Sequence, residues 1–400
     1  VPHEWLEINP ADAASLAVAD GEEVAVVSRR GRVRVHAKVT ERSPAGVVFM
    51  SFHFPETTPT NLLTTDVYDP ITETPEFFLR ARPYGCSGMV TRSLKQHIPP
   101  ERSKITAPRY AVFDKDSMLN CEWGNEKPWT DWQDHGIRQV KDTGCPIIIS
   151  LSGRNLDSCC YLIHAFDEMD VDAYEINISC SHSGALHGNL NVDALHLEQL
   201  MKKVRSVTTT PIWVKLSYSS LFIGMAQRAE ELGADAIVCT NSIGPGMLID
   251  TKTAKPKLGI KDGGGGVTGK AIFPIALWCV HQLSETLSIP VVGCGGIFTA
   301  DDVIQMLMAG ASAVQLYTAP ALKGPAVFKK VTVGLQGFLA ENPKHASIKD
   351  LVGLTLNKTC EHQFSSPRPV VIEARCTGCR ICIQSCAFDA LSIVRRSGKK

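Results

Sequence analysis

Between residues 85 and 345, short runs of consecutive apolar residues alternate with longer stretches in which apolar residues recur every three or four positions. Strands that are covered on both faces produce such runs, and the candidates are "GMVTRS", "PIIISLS", "AYEINIS", "PIWVKLS", "DAIVCT", "PVVGCG" and "AVQLY". The longer stretches predict helices, among them "NVDALHLEQLMKKVRSV", "LFIGMAQRAEELG", "FPIALWCVHQLSETL" and "TADDVIQMLMAG". This alternation indicates an α/β protein with a parallel sheet.

The parallel sheet is predicted to be a (β/α)8 TIM barrel, with a doubly wound sheet as the alternative. Polar side chains stand at the C-terminal end of nearly every apolar run, where barrels place their active sites. A closed barrel needs eight strands, and seven candidates are visible. We therefore expect an incomplete barrel with an open edge. In an open sheet of this kind, "GMVTRS" would lie at an edge or beside a gap.

Residues 1–80 show a different pattern, which predicts a small all-β domain. The segment "EEVAVVSRRGRVRVHAKVT" alternates apolar and polar residues around a turn at Arg30 and Gly31, as a β-hairpin does. "INPADAASLAV" predicts a short helix with Asp12 near its start, and "GVVFMSFHF" predicts a further strand. A polar segment that contains proline, "CEHQFSSPRPV", predicts a linker before the C-terminal segment.

Composition and charge narrow the function classes. The chain is 44% hydrophobic and 20% charged with a formal net charge of +0, which gives no reason to expect a nucleic-acid or anionic-membrane partner. No apolar run approaches the roughly 20 residues that span a bilayer, and no signal peptide opens the chain. The first residue is Val1 rather than Met, which suggests a fragment or a processed form. The 14 cysteines indicate a reducing, cytoplasmic compartment with metal or catalytic use.

Two cations and several amides follow the predicted strands. Lys215 ends "PIWVKLS" and Arg92 ends "GMVTRS", and a buried cation needs an anionic partner. A reduced flavin, which is negative near N1, would fit; a loop carboxylate is the alternative. An amide offers both donors and an acceptor, which suits a pyrimidine edge, although asparagines in loops often only form turns. The polar candidates of this kind are Asn120, Asn177, Asn241 and Ser242.

Two glycine-rich segments predict a phosphate-bearing cofactor. "KDGGGGVTGKA" runs from Lys261 to Ala271, and "GCGGIFTADD" runs from Gly293 to Asp302. Each precedes a predicted helix, where bare backbone and free N–H groups can approach a phosphate. Glycine turns occur in any barrel, so ordinary turns are the alternative.

Cysteines supply the remaining candidate chemistry. Cys180 follows the strand "AYEINIS", where it is either a small core residue or a thiol that moves a proton. "CTGCRICIQSC" has the C-x2-C-x2-C-x3-C spacing of a bacterial [4Fe–4S] ferredoxin site, whereas zinc sites more often use two separated C-x2-C pairs. The four cysteines of this run are Cys376, Cys379, Cys382 and Cys386.

Residues 85–345 resemble the dihydroorotate dehydrogenase family and its relative dihydropyrimidine dehydrogenase. The motifs "VTRSL", "INISCSH", "WVKLS", "TNSIGPGMLID", "GGGGVTGKAIFPIAL", "GCGGI" and "LYTA" occur in that family's order. The resemblance implies an FMN-binding (β/α)8 barrel, which in this chain lacks the first strand and first helix of the family. It implies that Lys215 and Arg92 contact the flavin ring and that Cys180 is the catalytic acid/base. It implies substrate contacts at Asn120, Asn177, Asn241 and Ser242. It places the FMN phosphate near Gly266, Gly295, Gly296, Tyr317 and Thr318.

Residues 1–80 resemble the C-terminal domain of molybdopterin-dependent oxidoreductases, most closely formate dehydrogenase catalytic subunits. This resemblance implies a double-psi β-barrel, and molybdopterin guanine dinucleotide binding only in a complete protein. Residues 366–400 are similar to the ferredoxin-like end of dihydropyrimidine dehydrogenases and imply a [4Fe–4S] cluster.

Taken together, these resemblances predict oxidation or reduction of the CH–CH bond of a dihydropyrimidine. "CEWGNE" after Asn120 and the motif "SCSH" favour an uncharged dihydropyrimidine, such as dihydrouracil, over dihydroorotate. We expect a partner subunit that transfers electrons or an NAD(P)H-oxidising flavoprotein, and a homo- or hetero-oligomer. The alternatives are a non-catalytic electron-transfer subunit and a fusion fragment of a formate dehydrogenase-like complex.

Overall fold

The computed structural model describes residues 5–27, 32–50, 72, 74–97, 108–122, 127–179, 194–358, 372–386 and 391–392. The chain divides into two units, Val1–Asn357 and Lys358–Lys400. The first unit contains the predicted all-β segment and the predicted barrel, and the second contains the four closely spaced cysteines.

The N-terminal segment forms a four-stranded sheet in the order β2-β3-β1-β4. Its strands are β1 (Trp5–Ile8), β2 (Glu23–Val27), β3 (Arg32–Val39) and β4 (Val48–Met50), with a helix at Pro10–Ser15. Strands β2 and β3 pair antiparallel, which confirms the predicted hairpin; its turn at Arg30 and Gly31 lies outside the described residues. Asn9 begins the helix because its side chain accepts a hydrogen bond from the Ala11 N–H. The double-psi topology stays a prediction.

All seven predicted strands of the second segment form one parallel sheet in the order β17-β16-β11-β10-β9-β8-β5. The strands are β5 (Met89–Val90), β8 (Ile147–Ser152), β9 (Ala173–Asn177), β10 (Ile212–Leu216), β11 (Ala236–Cys239), β16 (Val291–Cys294) and β17 (Ala311–Gln315). Strand β5 lies at one edge, as predicted for "GMVTRS". Within the described residues the sheet is therefore a curled, open part of a TIM barrel.

Helices cover the outer face of this sheet. Their bounds are Ile137–Lys141, Leu156–Asp167, Ala194–Arg205, Phe222–Glu231, Phe273–Thr286, Ala300–Met308, Thr318–Lys323 and Ala326–Glu341. The outward side chains of β10, such as Ile212 and Val214, are fully buried against them. Trp213 and Lys215 alternate with these residues, so they point to the opposite face, inside the curl.

The open edge beside β5 is contacted by residues that precede it in the chain. The backbone N–H of Arg92 donates to the carbonyl of Thr72 at 2.9 Å. The next helix, Glu76–Ala81, buries Phe78 in the main hydrophobic core and packs Phe77 against residues that follow β17. This short helix straddles the predicted boundary at residue 80 and contributes to the core of the barrel.

Segments that connect the strands of the barrel form a second, antiparallel sheet in the order β12-β15-β7-β6. Its strands are β6 (Tyr110–Asp114), β7 (Ser117–Asn120), β12 (Ile243–Gly246) and β15 (Gly265–Gly269); β13 (Ile249–Asp250) and β14 (Lys255–Pro256) form a separate hairpin. The glycine run of the predicted phosphate segment overlaps strand β15: Gly265 and Gly266 begin the strand, and Gly263 and Gly264 precede it. Glycine is required there because a Cβ on Gly265 would lie 2.6 Å from the Asn120 carbonyl oxygen.

In the C-terminal unit, the described residues form a 3-10 turn at Glu373–Arg375 and a one-turn helix at Ile381–Gln384. All described cysteines of the chain are free thiols. None of the helices within the described residues combines the length and the apolarity needed to cross a bilayer.

Candidate active site

Lys215 occupies the centre of a polar cluster inside the curled sheet. Its Nζ lies 3.2 and 3.4 Å from the two carboxylate oxygens of Glu175 and 3.0 Å from Oε1 of Gln315. The Glu175 side chain is almost completely buried, and that of Lys215 is 15% exposed. Burial acts to lower the pKa of Lys215, but the Glu175 carboxylate and the Cys294 thiol raise it, and the net direction is upward. The lysine is therefore held as a cation.

A series of hydrogen bonds, each donated toward Glu175, runs from Asn177 through Ser93 and Ser150 to the Glu175 carboxylate. Ser150 lies beside Glu175 in the β8–β9 register, and its hydroxyl donates to Oε1 at 3.1 Å. The hydroxyls of Ser150 and Ser93 are 3.0 Å apart, and Asn177 donates its amide to Ser93 at 2.9 Å. Because Ser150 donates to the carboxylate, it accepts from Ser93. The predicted substrate amide of Asn177 is thus linked to the predicted flavin cation.

Asn241 uses both of its amide protons to hold the end of β9. Its Nδ2 donates to Oδ1 of Asn177 at 3.1 Å and to the carbonyl of Ser179 at 2.9 Å. Its Oδ1 accepts from the backbone N–H of Ser242 at 2.8 Å. The structure therefore brings Asn177, Asn241 and Ser242 together, and their contact with substrate stays a prediction. The contacts of Asn241 fit a residue that orients its neighbours.

Ser179 is fixed by all three of its polar groups. Its N–H donates to Oδ1 of Asn177, its hydroxyl donates to the Lys215 carbonyl at 3.0 Å, and its own carbonyl accepts from Asn241. The predicted acid/base, Cys180, lies outside the described residues. The residue that precedes it in the chain is held rigidly against the polar cluster.

Arg92 has the alternative partner considered for it, a carboxylate. Its guanidinium lies 2.7 Å from Glu122, which follows β7, and Arg109 contacts the same carboxylate at 3.2 Å. All three side chains are at most 8% exposed. Asn120 is also buried in this region, and its amide donates to the carbonyl of Gly266 at 3.3 Å. The pairing of β7 with β15 therefore brings Asn120 and Gly266 together.

Gly295 and Gly296 form a turn of bare backbone after β16. Their φ angles are +120° and +72°, a region that favours glycine, and a Cβ on Gly296 would lie 2.7 Å from the carbonyl oxygen of Gly269. A turn of this kind fits the phosphate of FMN. The helix that follows, Ala300–Met308, is capped from within: the Asp302 carboxylate accepts from the N–H groups of Phe298 and Thr299. The phosphate prediction therefore rests on the turn, and the helix N-terminus is already occupied.

Two further predicted phosphate residues lie beside the antiparallel sheet. The hydroxyl of Thr318 is 2.7 Å from that of Thr268 in β15, and the hydroxyl of Tyr317 is 3.1 Å from that of Tyr110 in β6. These contacts join the end of β17 to the sheet that also holds Asn120. Tyr317 and Thr318, two predicted cofactor residues, and Asn120, a predicted substrate residue, are thus carried by connected elements.

Sequence reasoning missed Glu175, Gln315, Ser150, Glu122 and Arg109. Glu175 had a usable signal, because a carboxylate in the middle of the apolar run "AYEINIS" is almost never buried without a partner. Gln315 in "AVQLY" carries the same signal in weaker form. The remaining three depend on which strands pair, which the sequence pattern does not encode.

The four closely spaced cysteines lie in the C-terminal unit, three of them exposed and Cys386 half-buried. In Cys379, hydrogen bonds from the Ile381 N–H and from the side chain of Thr377 lower the thiol pKa. Among described residues, no three His, Cys, Asp or Glu side chains are arranged to hold a metal ion. Four thiols at ferredoxin spacing nevertheless form the donor set that iron–sulfur clusters use.

Comparison with known proteins identifies two families in the chain. The dihydroorotate dehydrogenase family model matches residues 88–339, and the "Molydopterin dinucleotide binding domain" model matches residues 1–79. The catalytic subunit of dihydroorotate dehydrogenase B (NAD(+)) from Pyrococcus abyssi is 31% identical over 288 residues, 71% of this chain and 91% of the relative. The same subunit from Pyrococcus furiosus is 33% identical over 285 residues, 70% of this chain and 90% of the relative. A third, from Methanothermobacter thermautotrophicus, is 35% identical over 218 residues, 54% and 71% of the two chains. The chain, whose residues 1–79 match the molydopterin dinucleotide binding domain model, therefore belongs to the dihydroorotate dehydrogenase family of oxidoreductases that act on CH–CH donors.

Proposed function

We propose that the chain is the catalytic component of an FMN-dependent dehydrogenase that interconverts a dihydropyrimidine and a pyrimidine. The observation that carries the proposal is the hydrogen-bonded cluster in which the amide of Asn177 is joined through Ser93, Ser150 and Glu175 to the buried cation Lys215. Amides suit the alternating donors and acceptors of a pyrimidine, and a cation suits a reduced flavin. The family membership and the catalytic-subunit relatives support this reading.

FMN would be held by residues from three parts of the site. Lys215 and Arg92 would face the ring, and the phosphate would lie near Gly266, Gly295, Gly296, Tyr317 and Thr318. When bound, FMN supplies hydride exchange at N5. The bare turn at Gly295 and Gly296 fits the phosphate, because glycine lets backbone N–H groups approach it closely.

Cys180 would supply the proton chemistry. A free thiol has a pKa of about 8.5, close enough to neutrality to give a proton to a ring carbon or to take one from it. The chain contributes rigidity on one side, because Ser179 is fixed by three hydrogen bonds. Cys180→Ser should keep flavin but slow substrate turnover, with the pH profile displaced upward. Unchanged turnover in this variant would refute the assignment.

The substrate is proposed to contact Asn120, Asn177, Asn241 and Ser242. The sequence favours an uncharged ring such as dihydrouracil, while the named relatives are dihydroorotate dehydrogenases. Parallel assays with dihydrouracil and dihydroorotate decide between the two. A higher kcat/KM for dihydroorotate would reject the uncharged preference.

Electrons are proposed to pass through a [4Fe–4S] cluster on Cys376, Cys379, Cys382 and Cys386, and then to a separate electron-transfer subunit or flavoprotein. The support is the spacing of the four thiols. Anaerobically prepared protein should contain iron and acid-labile sulfide and absorb broadly near about 400 nm. Bound zinc without sulfide would contradict the cluster.

An anaerobic titration of the full chain tests the catalytic proposal as a whole. Adding a dihydropyrimidine should bleach the flavin absorbance at about one equivalent per bound FMN, since the hydride reduces the ring. Flavin that binds but stays oxidised would instead support a non-catalytic electron-transfer subunit. Residues 1–79 are proposed to bind a molybdopterin dinucleotide, on the support of the family model that matches them.

A further inference from the structure

The contacts around Lys215 support a further inference about how the protein adjusts the bound flavin. This inference rests on the proposed function. The two distances from Lys215 to Glu175 are 3.2 and 3.4 Å. Charge-assisted hydrogen bonds between an ammonium and a carboxylate are usually about 2.7–2.9 Å. The ion pair is therefore looser than two buried opposite charges would adopt alone.

Two neutral side chains account for the loose pair. Gln315 donates its amide to Oε2 of Glu175 at 2.9 Å and accepts from Lys215 at 3.0 Å, so it competes for both partners. Ser150 donates to Oε1 of Glu175 at 3.1 Å. Gln315 stands at the end of β17 and Glu175 on β9, so the curl of the sheet brings them together across its interior. Both oxygens of the carboxylate are thus partly satisfied without the lysine.

We propose that Glu175 and Gln315 are positioning residues that set how much of the Lys215 charge acts on the bound flavin. Glu175 offsets part of the positive charge. Gln315 prevents the offset from becoming complete, because it satisfies one carboxylate oxygen and holds the ammonium on its other side. The pair therefore tunes the relative affinity of the site for reduced and oxidised flavin.

The proposal predicts opposite effects for two substitutions of similar size. Glu175→Gln removes the offsetting charge, so the affinity for reduced flavin relative to oxidised flavin should rise about tenfold, which raises the two-electron potential by about 30 mV. Gln315→Met removes the competing amide, so Glu175 can pair more closely with Lys215 and the potential should fall. The measurement is a spectroscopic redox titration of FMN bound to the full chain, with flavin content recorded for each variant.

Controls make each outcome decisive. Gln133→Met is a matched control, because Gln133 is also half-buried but donates to the Ala165 carbonyl; its potential should equal that of the wild type. If Gln315→Met fails to fold, Ser150→Ala replaces it and should also lower the potential. Shifts of the same sign in Glu175→Gln and Gln315→Met, or no shift in either, would overturn the inference alone. Wild-type protein that binds no FMN would overturn the proposed function as well.

Discussion

At the scale of single residues, the site depends on the Asn241 amide, whose two N–H groups already donate to acceptors in the protein. Asn241 donates one amide proton to Asn177 and the other to the carbonyl of Ser179, so its main role is to orient the groups around it. A buried acceptor that loses its donor costs about 1–3 kcal/mol. Asn241 therefore couples the geometry of the site to the stability of the fold.

Asn241→Asp should be more damaging than the change of one atom suggests. A carboxylate there would face two carbonyl-type oxygens, so we expect a loss of about 1–3 kcal/mol in the free energy of unfolding together with slower flavin reduction. Urea denaturation and stopped-flow absorbance measure the two effects. Asn342→Asp is the control, because Asn342 donates to the Phe338 carbonyl in an outer helix. Equal losses in both variants would contradict the orienting role.

At the scale of elements, the sequence predicted the strands of the barrel well and the loops poorly. All seven apolar runs form the parallel sheet, because a strand covered on both faces leaves a continuous apolar signature. The segment from Gly263 to Gly266 was harder to place: Gly265 and Gly266 begin strand β15, and Gly266 pairs with Asn120 of β7. Its glycines are there for close backbone approach, and that requirement depends on a partner strand distant in sequence. A carboxylate partner for Arg92 was predicted as an alternative, but its identity as Glu122 escaped prediction for the same reason.

Asp302 caps the start of the helix Ala300–Met308, and its contribution to the free energy of unfolding can be measured as a function of pH. Burial acts to raise its pKa, but Lys270 and the N–H groups of Phe298 and Thr299 lower it, and the net direction is downward. A carboxyl with a lowered pKa stabilises the fold above its unfolded pKa of about 3.9, and that stabilisation is lost as the pH falls through the folded value.

Asp302→Asn should therefore lower the free energy of unfolding by about 1–2 kcal/mol at pH 7. The difference from wild type should shrink below about pH 4. Thermal unfolding at several pH values provides the measurement. Asp301→Asn, an exposed neighbour in the same helical turn, should change little. A pH-independent difference for Asp302→Asn would show that the charge of Asp302 is not responsible.

At the scale of the whole molecule, the junction between the two families is a packed element. The molybdopterin-type match ends at residue 79 and the dehydrogenase match begins at residue 88. The helix Glu76–Ala81 crosses this boundary, and Phe78 is 3% exposed within the core shared with the barrel helices. The carbonyl of Thr72 accepts a hydrogen bond from the backbone N–H of Arg92, which follows the edge strand β5. No eighth strand of the barrel sheet is present among the described residues, so the sheet has an open edge at β5. The end of the N-terminal segment stabilises this edge.

Phe78→Ala tests this role in the full chain. Removing a buried phenyl group typically costs about 3–5 kcal/mol, and the loss should fall on the barrel because Phe78 contacts the barrel core. Hydrogen exchange should accelerate in β5 and in β8, the strand that pairs with it, while β2 and β3 of the N-terminal sheet keep their protection. Phe113→Ala is the control, since Phe113 is 41% exposed on β6 and should change exchange little. Faster exchange confined to the N-terminal sheet would show that the helix belongs to that domain alone. The barrel edge would then have to be protected by other residues.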